Sequence, residues 1–423
     1  MANSQESQHS RRAFLGKAGL AMAAPVLAEL AGVRTAFADQ VGPMKDFASL
    51  PEAYSLKPGL TYLNHASIGT VPRAVQEAQR KYLEICESNP WMHIWSETWK
   101  EPREEVRRRA AQVLGCHPET VAITHNTTET FNLLAQGLPL GKGDEVVMSS
   151  LNHSGASVCW EHHAAVRGYR VQRFDFPVLD VPRMNAEDVV DIYTAQIGRR
   201  TKVLVFPHVD NMIGLRHPVR EIARAARAKG VRWIAVDGAQ TVGMIPLRVD
   251  KMDVDAYATS PHKWLQSPKG LGLTYLRQSL QEELHPMWVT WGQRTWKGSV
   301  KVYEDYGTRN LPEVLALGDA IEFQQRLGAT QKEEHHRRLW QHSRNLVDKA
   351  SNLTWRSPES WDLGAALYAI EVSEESSALF QRLFEEHGFV FRPFSQQGLN
   401  TIRLSPNVGN STEDLDRLFA LLG

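Results

Sequence analysis

Between about Val121 and Leu276, short runs of β-branched and other apolar residues alternate with stretches whose apolar positions recur at helical spacing. The runs Val121-Thr124, Glu145-Ser149, Tyr169-Phe176, Lys202-Pro207, Trp233-Val236, Ala256-Thr259 and Leu271-Leu276 read as strands. Helices are expected between them over Thr128-Gln136, Ala186-Gln196 and Val219-Lys229. Asn185 is placed to cap the second, and Gly230 closes the third just after a basic residue. This alternation predicts an α/β fold with a mainly parallel sheet and crossover helices. After an irregular stretch from Pro286 to Lys301 come a helix from about Glu313, a charged helix over Glu333-Lys349, and β-type runs at Ala366-Ile370 and Thr401-Ser405. These predict a smaller α+β lobe at the C-terminal end.

Composition narrows the classes of function. With 423 residues and 42% hydrophobic side chains the chain can bury a sizeable core, and one lobe is unlikely to hold all of it. Forty-eight basic residues balance 48 acidic ones, so there is no basic excess for nucleic acid or an anionic membrane. Three cysteines (Cys86, Cys116 and Cys159) with no C-x-x-C pair support neither a disulfide framework nor a zinc or redox motif. Glu161-His162-His163 lacks metal-ligand spacing and reads as satisfied or solvated, and Glu333-Glu334-His335-His336-Arg337-Arg338 reads as a solvated helix face, so no metal is expected.

The N-terminus reads as an address. Arg11 and Arg12 precede Phe14-Leu15, an apolar stretch from Ala18 to Ala28 and the small-residue site Ala36-Phe37-Ala38. Pro25 and Glu29 interrupt the stretch, which falls short of the roughly 20 residues a membrane span needs, so a permanent membrane anchor is not expected. The pattern predicts a twin-arginine signal peptide over 1–38 and a mature periplasmic protein handed over, already folded, to the twin-arginine export machinery. Export in the folded state suggests a cofactor inserted beforehand.

The strongest local chemistry is Val236-Asp237-Gly238-Ala239-Gln240 followed by Ser260-Pro261-His262-Lys263. The first puts an acid at the carboxyl end of an apolar strand, where open α/β sheets build their sites. The second puts a lysine just beyond another strand on the same rim. A desolvated lysine there would be partly neutral, as a Schiff base with an aldehyde cofactor requires, whereas a lysine at a strand end is as readily a surface residue. Thr124-His125-Asn126-Thr127-Thr128-Glu129 joins a strand to a helix, a place that suits a phosphate and equally a simple cap.

These motifs together resemble the fold type I pyridoxal-phosphate enzymes, specifically the class V aminotransferases and their isopenicillin N epimerase-like branch. The resemblance implies pyridoxal 5'-phosphate as cofactor. It makes Lys263 the lysine of the internal aldimine and base for the α-proton, Asp237 the partner of the ring nitrogen, and Gln240 a neighbouring cofactor contact. Thr127, Thr128, Ser260 and His262 would form the phosphate cup, with Asn126 standing where many members carry glycine. His153, in Leu151-Asn152-His153-Ser154, would stack on the ring, and Asn211 would hydrogen-bond the 3′-oxygen, with Asp210 varying from the commoner Ser or Asn. Arg403, in Asn400-Thr401-Ile402-Arg403, would hold a substrate carboxylate. Asn64 and His65 would line the substrate side, and Thr308, in Gly307-Thr308-Arg309, would reach the phosphate of a partner subunit in a homodimer. The implied organisation is a signal peptide at 1–38, a substrate-side segment at 39–70, a large domain at 71–295 and a small domain at 296–423.

The residues leave the reaction open. Cysteine desulfurases of the class need a thiol on a small-domain loop, and Arg392-Pro393-Phe394-Ser395-Gln396-Gln397-Gly398 has none. The expectation is an aminotransferase or epimerase acting at the α-carbon of an amino acid or a peptide-borne residue. A lyase, or an enzyme tailoring a siderophore peptide, is the alternative, and a non-catalytic binding protein on the same scaffold is the rival from another class. A Rossmann dehydrogenase would want G-x-G-x-x-G after the first strand, and Thr124 to Glu129 contains no glycine. Trp91, Trp95 and Trp99, spaced i, i+4, i+8, read as one packed helical face.

Overall fold

The computed structural model describes residues 28–37, 47, 50–95 and 99–422. Arg11, Arg12 and the expected cleavage site at Ala38 lie outside the described residues. Part of the expected leader, helix α1 (28–37), packs Leu30, Val33 and Phe37 into the main core. Next come strand β1 (Thr61–Tyr62), helix α2 (Arg73–Ser88), a single π-helical turn over Trp91–Trp95, and helix α3 (Lys100–Leu114). Here the expected tryptophan face fails. Trp91 is exposed while Trp99 is buried ahead of α3, because the chain changes helix type between them instead of continuing α2.

The expected strands follow nearly residue for residue: β2 (Val121–Thr124), β3 (Glu145–Ser149), β4 (Arg170–Phe174), β5 (Thr201–Pro207), β6 (Trp233–Asp237), β7 (Ala256–Thr259) and β8 (Gly272–Leu276). Between them run α4 (Thr127–Gly137), α5 (Ser154–Arg167), α6 (Ala186–Ala195) and α7 (Val219–Ala228). Asn185 caps α6 in a reciprocal arrangement with Asp188, as its sequence predicts. The sheet order is β2-β8-β7-β6-β5-β3-β4, with β8 alone running against the rest. Strands β2, β3 and β5 to β8 are buried along almost their whole length, so helices on both faces, not solvent, set their composition.

Short helices α8 (Gln278–Gln281) and α9 (Gly292–Thr295) punctuate the irregular stretch before α10 (Leu311–Leu327) and α11 (Ala329–Val347). Strands β9 (Leu353–Trp355) and β10 (Tyr368–Val372), helix α12 (Ser376–His387), strands β11 (Phe389–Val390), β12 (Arg392–Phe394) and β13 (Thr401–Leu404), and helix α13 (Thr412–Leu422) complete the chain. Strands β12-β13-β10-β9 form an antiparallel sheet with its own apolar core, which Leu339 and Trp340 of α11 enter. Helix α10 packs with α2 and α3 in the main core. In return β1 pairs in parallel with β11, and Leu63 belongs to the small core. The substrate-side segment thus runs between the two lobes. No helix among the described residues is long and apolar enough to cross a membrane.

Candidate active site

The carboxyl ends of β2, β3, β5, β6 and β7 open into one cavity of about 940 Å³, roofed by the small lobe through Arg392, Phe394 and Arg403. This is where a mainly parallel sheet places its sites. Asp237 ends β6, 6% exposed, and its Oδ1 accepts the Ala239 N–H at 2.9 Å. Burial pushes its carboxyl upward, opposed by that N–H and by the charges of Lys263 and His153. Lys263 sits on the turn after β7. Burial draws its ammonium down to about 8, with Asp237 pulling the other way and Arg403 adding to the fall. Gly69 holds this turn from the other side: its N–H donates to the His262 carbonyl at 2.9 Å, and a Cβ there would meet the Lys263 carbonyl oxygen at 1.9 Å. No side chain larger than hydrogen fits.

At the start of α4, Thr127 Oγ1 and Ser260 Oγ are 2.8 Å apart, and Thr128 lines the same corner. Asn126 is the N-cap, its Oδ1 accepting the Glu129 N–H at 2.9 Å from extended backbone at φ −174°, so this position has no need of glycine. His262 completes the corner with Nδ1 buried and unpartnered among the described residues, and burial first, then Lys263, lowers its ring to about 4. A Cβ on Gly155, across the corner, would meet Thr128 Oγ1 at 2.6 Å. Three hydroxyls, an orphaned ring nitrogen and a helix N-terminus around a glycine-lined space fit a phosphate group. Opposite Asp237, His153 lines the cavity as the N-cap of α5, its Nδ1 accepting the Gly155 N–H at 3.1 Å, and burial lowers its pKa. With Asp237, Lys263, His153 and the phosphate corner lining one cavity, the residues present fit pyridoxal 5'-phosphate.

Other expected residues fall in less obvious places. Asp210 does not face the cavity. Its carboxylate accepts N–H groups of Met212, Ile213 and Leu215 at 2.7, 2.8 and 2.6 Å and so shapes the loop that carries Asn211 into the cavity. Gln240 reaches the cavity, but its amide also holds two structural partners, donating to the Ala66 carbonyl at 2.9 Å and accepting from Trp264 Nε1 at 2.8 Å. Arg403 is 2% exposed. It donates to the Asn211 carbonyl at 2.8 Å, Asn64 Oδ1 at 2.6 Å and Ser67 Oγ at 2.7 Å, while its Nε is left unpartnered. His65 turns away: it lines a separate cavity of about 660 Å³, edge-on to Tyr62, and burial lowers its ring to about 3. Its neighbours Ala66 and Ser67 line the central cavity instead. Thr308 lies exposed on the loop before α10 and does not line this chain's cavity.

Several contributors carry no local sequence signal. Ser67, Arg392 and Gln397 meet the site only through the small lobe's docking, and behind the loop after Asp237 the Tyr257 hydroxyl lies 2.7 Å from both His208 Nδ1 and Thr241 Oγ1. None of the three thiols lines the cavity. Burial raises Cys86 and Cys116 to about 11 and Cys159 to about 12.

Residues 61–418 match the family model described as aminotransferase class-V. The chain is 30% identical over 389 residues to isopenicillin N epimerase of Amycolatopsis lactamdurans, covering 88% of this chain and 96% of the relative. A cysteine desulfurase of Haloferax volcanii is 27% identical over 383 residues, 85% of this chain and 88% of the relative. Among solved structures, a variant of C-DES with glycine covalently linked to its PLP cofactor superposes with a TM-score of 0.79 at 22% identity, covering 90% of this chain and 99% of the other.

Proposed function

The chain belongs to the aminotransferase class-V family of pyridoxal-phosphate enzymes, and from that premise we propose that it is an exported homodimer acting at the α-carbon of an amino acid or amino-acid residue, as an aminotransferase or epimerase. The observation that carries this reading is one cavity holding a lysine drawn down to about 8, a buried acid on the adjacent strand and a buried arginine with Nε unanswered. Bound at this site, pyridoxal phosphate supplies an electron sink for a carbanion at the substrate's α-carbon.

This chain's own residues do the rest. Asp237 would keep a proton on the cofactor's ring nitrogen, and Thr127, Thr128, Ser260 and His262 would take its phosphate. Arg403 would orient a substrate carboxylate through its charge and its unanswered Nε–H. Lys263, free as an amine, takes the α-proton and returns it. The small lobe excludes water from above. Desulfuration through an enzyme persulfide is disfavoured, since Gln396 and Gln397 occupy the loop that would carry the thiol.

The visible absorbance of the purified holoenzyme with a pool of amino acids and periplasmic peptides tests the reading. Conversion of the cofactor to its amine form marks transamination. A persistent band with α-deuterium uptake in heavy water marks epimerisation, and release of a keto acid with ammonia marks the lyase alternative. Lys263→Ala must abolish turnover; full turnover in that variant sinks the assignment of Lys263, and absence of any turnover by the unaltered holoenzyme leaves a binding protein. The paired Arg11 and Arg12 support export, so a reporter fused after Ala38 should stay in the cytoplasm once both are changed to lysine.

A further inference from the structure

Strands β12 and β13 pair in a register that sets Arg392 directly opposite Arg403. Both guanidinium carbons lie over one ring, that of Phe394, at 5.7 Å for Arg392 and 5.4 Å for Arg403, and both side chains line the central cavity. Like charges directly opposed on an antiparallel pair destabilise it, so the arrangement calls for an anion. Among the described residues no carboxylate lies within ion-pair distance of either. The acid on Arg403's side, Asp210, gives its oxygens to three backbone N–H groups. Arg173, a third arginine lining the cavity, has Glu161 at 3.8 Å.

The donors divide unevenly. Arg403 has bonds to Asn211, Asn64 and Ser67, which take both Nη2 hydrogens and one on Nη1 and leave its Nε–H to meet at most one carboxylate. Arg392 makes no hydrogen bond among the described residues and stands at the exposed edge of its sheet, so all its donors remain. One α-carboxylate therefore answers Arg403 and leaves Arg392 unanswered.

From this juxtaposition we propose that Arg392 determines specificity: the site takes an amino substrate bearing a second carboxylate, which Arg392 binds beside the α-carboxylate held by Arg403. The inference rests on the reading of the site given above and names its substrate class. Opposed residues on antiparallel strands have Cβ atoms roughly 5 Å apart, a spacing of the same order as the two ends of a short dicarboxylic acid.

Titration calorimetry on the holoenzyme with glutarate and glutaramate, which cannot react because they lack an amine, reads the second carboxylate directly. Glutarate should bind about tenfold or more tightly than glutaramate, the usual scale for a charge-assisted bond. Arg392→Gln should erase that preference, and Arg392→Lys should keep part of it. Equal affinities in the unaltered enzyme, or a preference that survives Arg392→Gln, overturn the proposal. Glutamate and glutamine, followed by the cofactor's absorbance, then separate it from the reading beneath it. A glutarate preference lost in Arg392→Gln supports the proposal even where neither amino acid changes the absorbance or takes up α-deuterium from heavy water, an outcome that counts against the α-carbon reading for free amino acids alone. Equal responses to the two amino acids together with no glutarate preference defeat this proposal and leave that reading intact.

Discussion

With its ammonium drawn down to about 8, Lys263 carries about a tenth of its population as free amine at pH 7, against well under a thousandth for an exposed lysine near 10.4. Only the free amine attacks an aldehyde, so the rate at which the apoenzyme captures pyridoxal phosphate covalently should climb with pH and level off above about 8. Fixing the product with borohydride and weighing the protein measures it, and a rise that continues to about 10.4 would refute the assignment. Asp237 holds the ammonium up, so Asp237→Asn should move the midpoint below that of the unaltered enzyme. Both residues were legible in the sequence because each follows an unbroken apolar strand, which fixes its place on the rim before any partner is known. The roles of Asp210 and Gln240 were not legible. What a buried polar side chain bonds depends on backbone groups brought in from elsewhere, and here these are Ala66, Trp264 and a loop folded back on itself.

Between residue and fold, Glu304 ties three elements together. Its carboxylate takes two hydrogen bonds from Arg107 of α3 at 2.6 and 2.7 Å, the N–H of Ile123 in β2 at 2.6 Å, and an ion pair with Arg309 at 3.3 Å. Burial alone would raise this acid, but Arg107 and Arg309 outweigh burial and hold it at about 2. Glu304→Gln should cost about 3–5 kcal/mol at neutral pH, since it strands buried arginines. The depressed acid gives a definite sign: its contribution is complete above the ordinary glutamate value of about 4.3 and fades as pH falls toward 2. Urea unfolding of both forms at pH 7 and pH 3 checks this, with a gap that narrows on acidification expected and equal stability at pH 7 contradicting it. The strands of the large sheet were readable because burial on both faces writes itself as continuous apolar runs. Strands β1, β11 and β12, of two or three residues each, have no period to read and exist only through their partners. The tryptophan spacing misled for the same reason, since a local period cannot register where a helix changes type.

At the scale of the whole molecule, the exposed loop that Glu304 anchors carries Thr308 away from its own cavity, as a residue serving a partner's phosphate corner would be carried. Sedimentation velocity should give a dimer, and Thr308→Val should speed cofactor loss on dialysis without moving the sedimentation coefficient. A monomer, or unchanged retention, would contradict that use of the loop. The strap from β1 to Gly69 has a further consequence, in time and not in space. Its Asn64 meets Arg403 across 339 residues of sequence, and β1 waits for β11. Contacts so far apart in sequence form only once the loop between them has closed, so this strap settles late. A nascent chain paused before β12 would hold Lys263 with neither Arg392 nor Arg403 above it. The cavity is therefore complete only once the small lobe has brought its arginines over the large sheet.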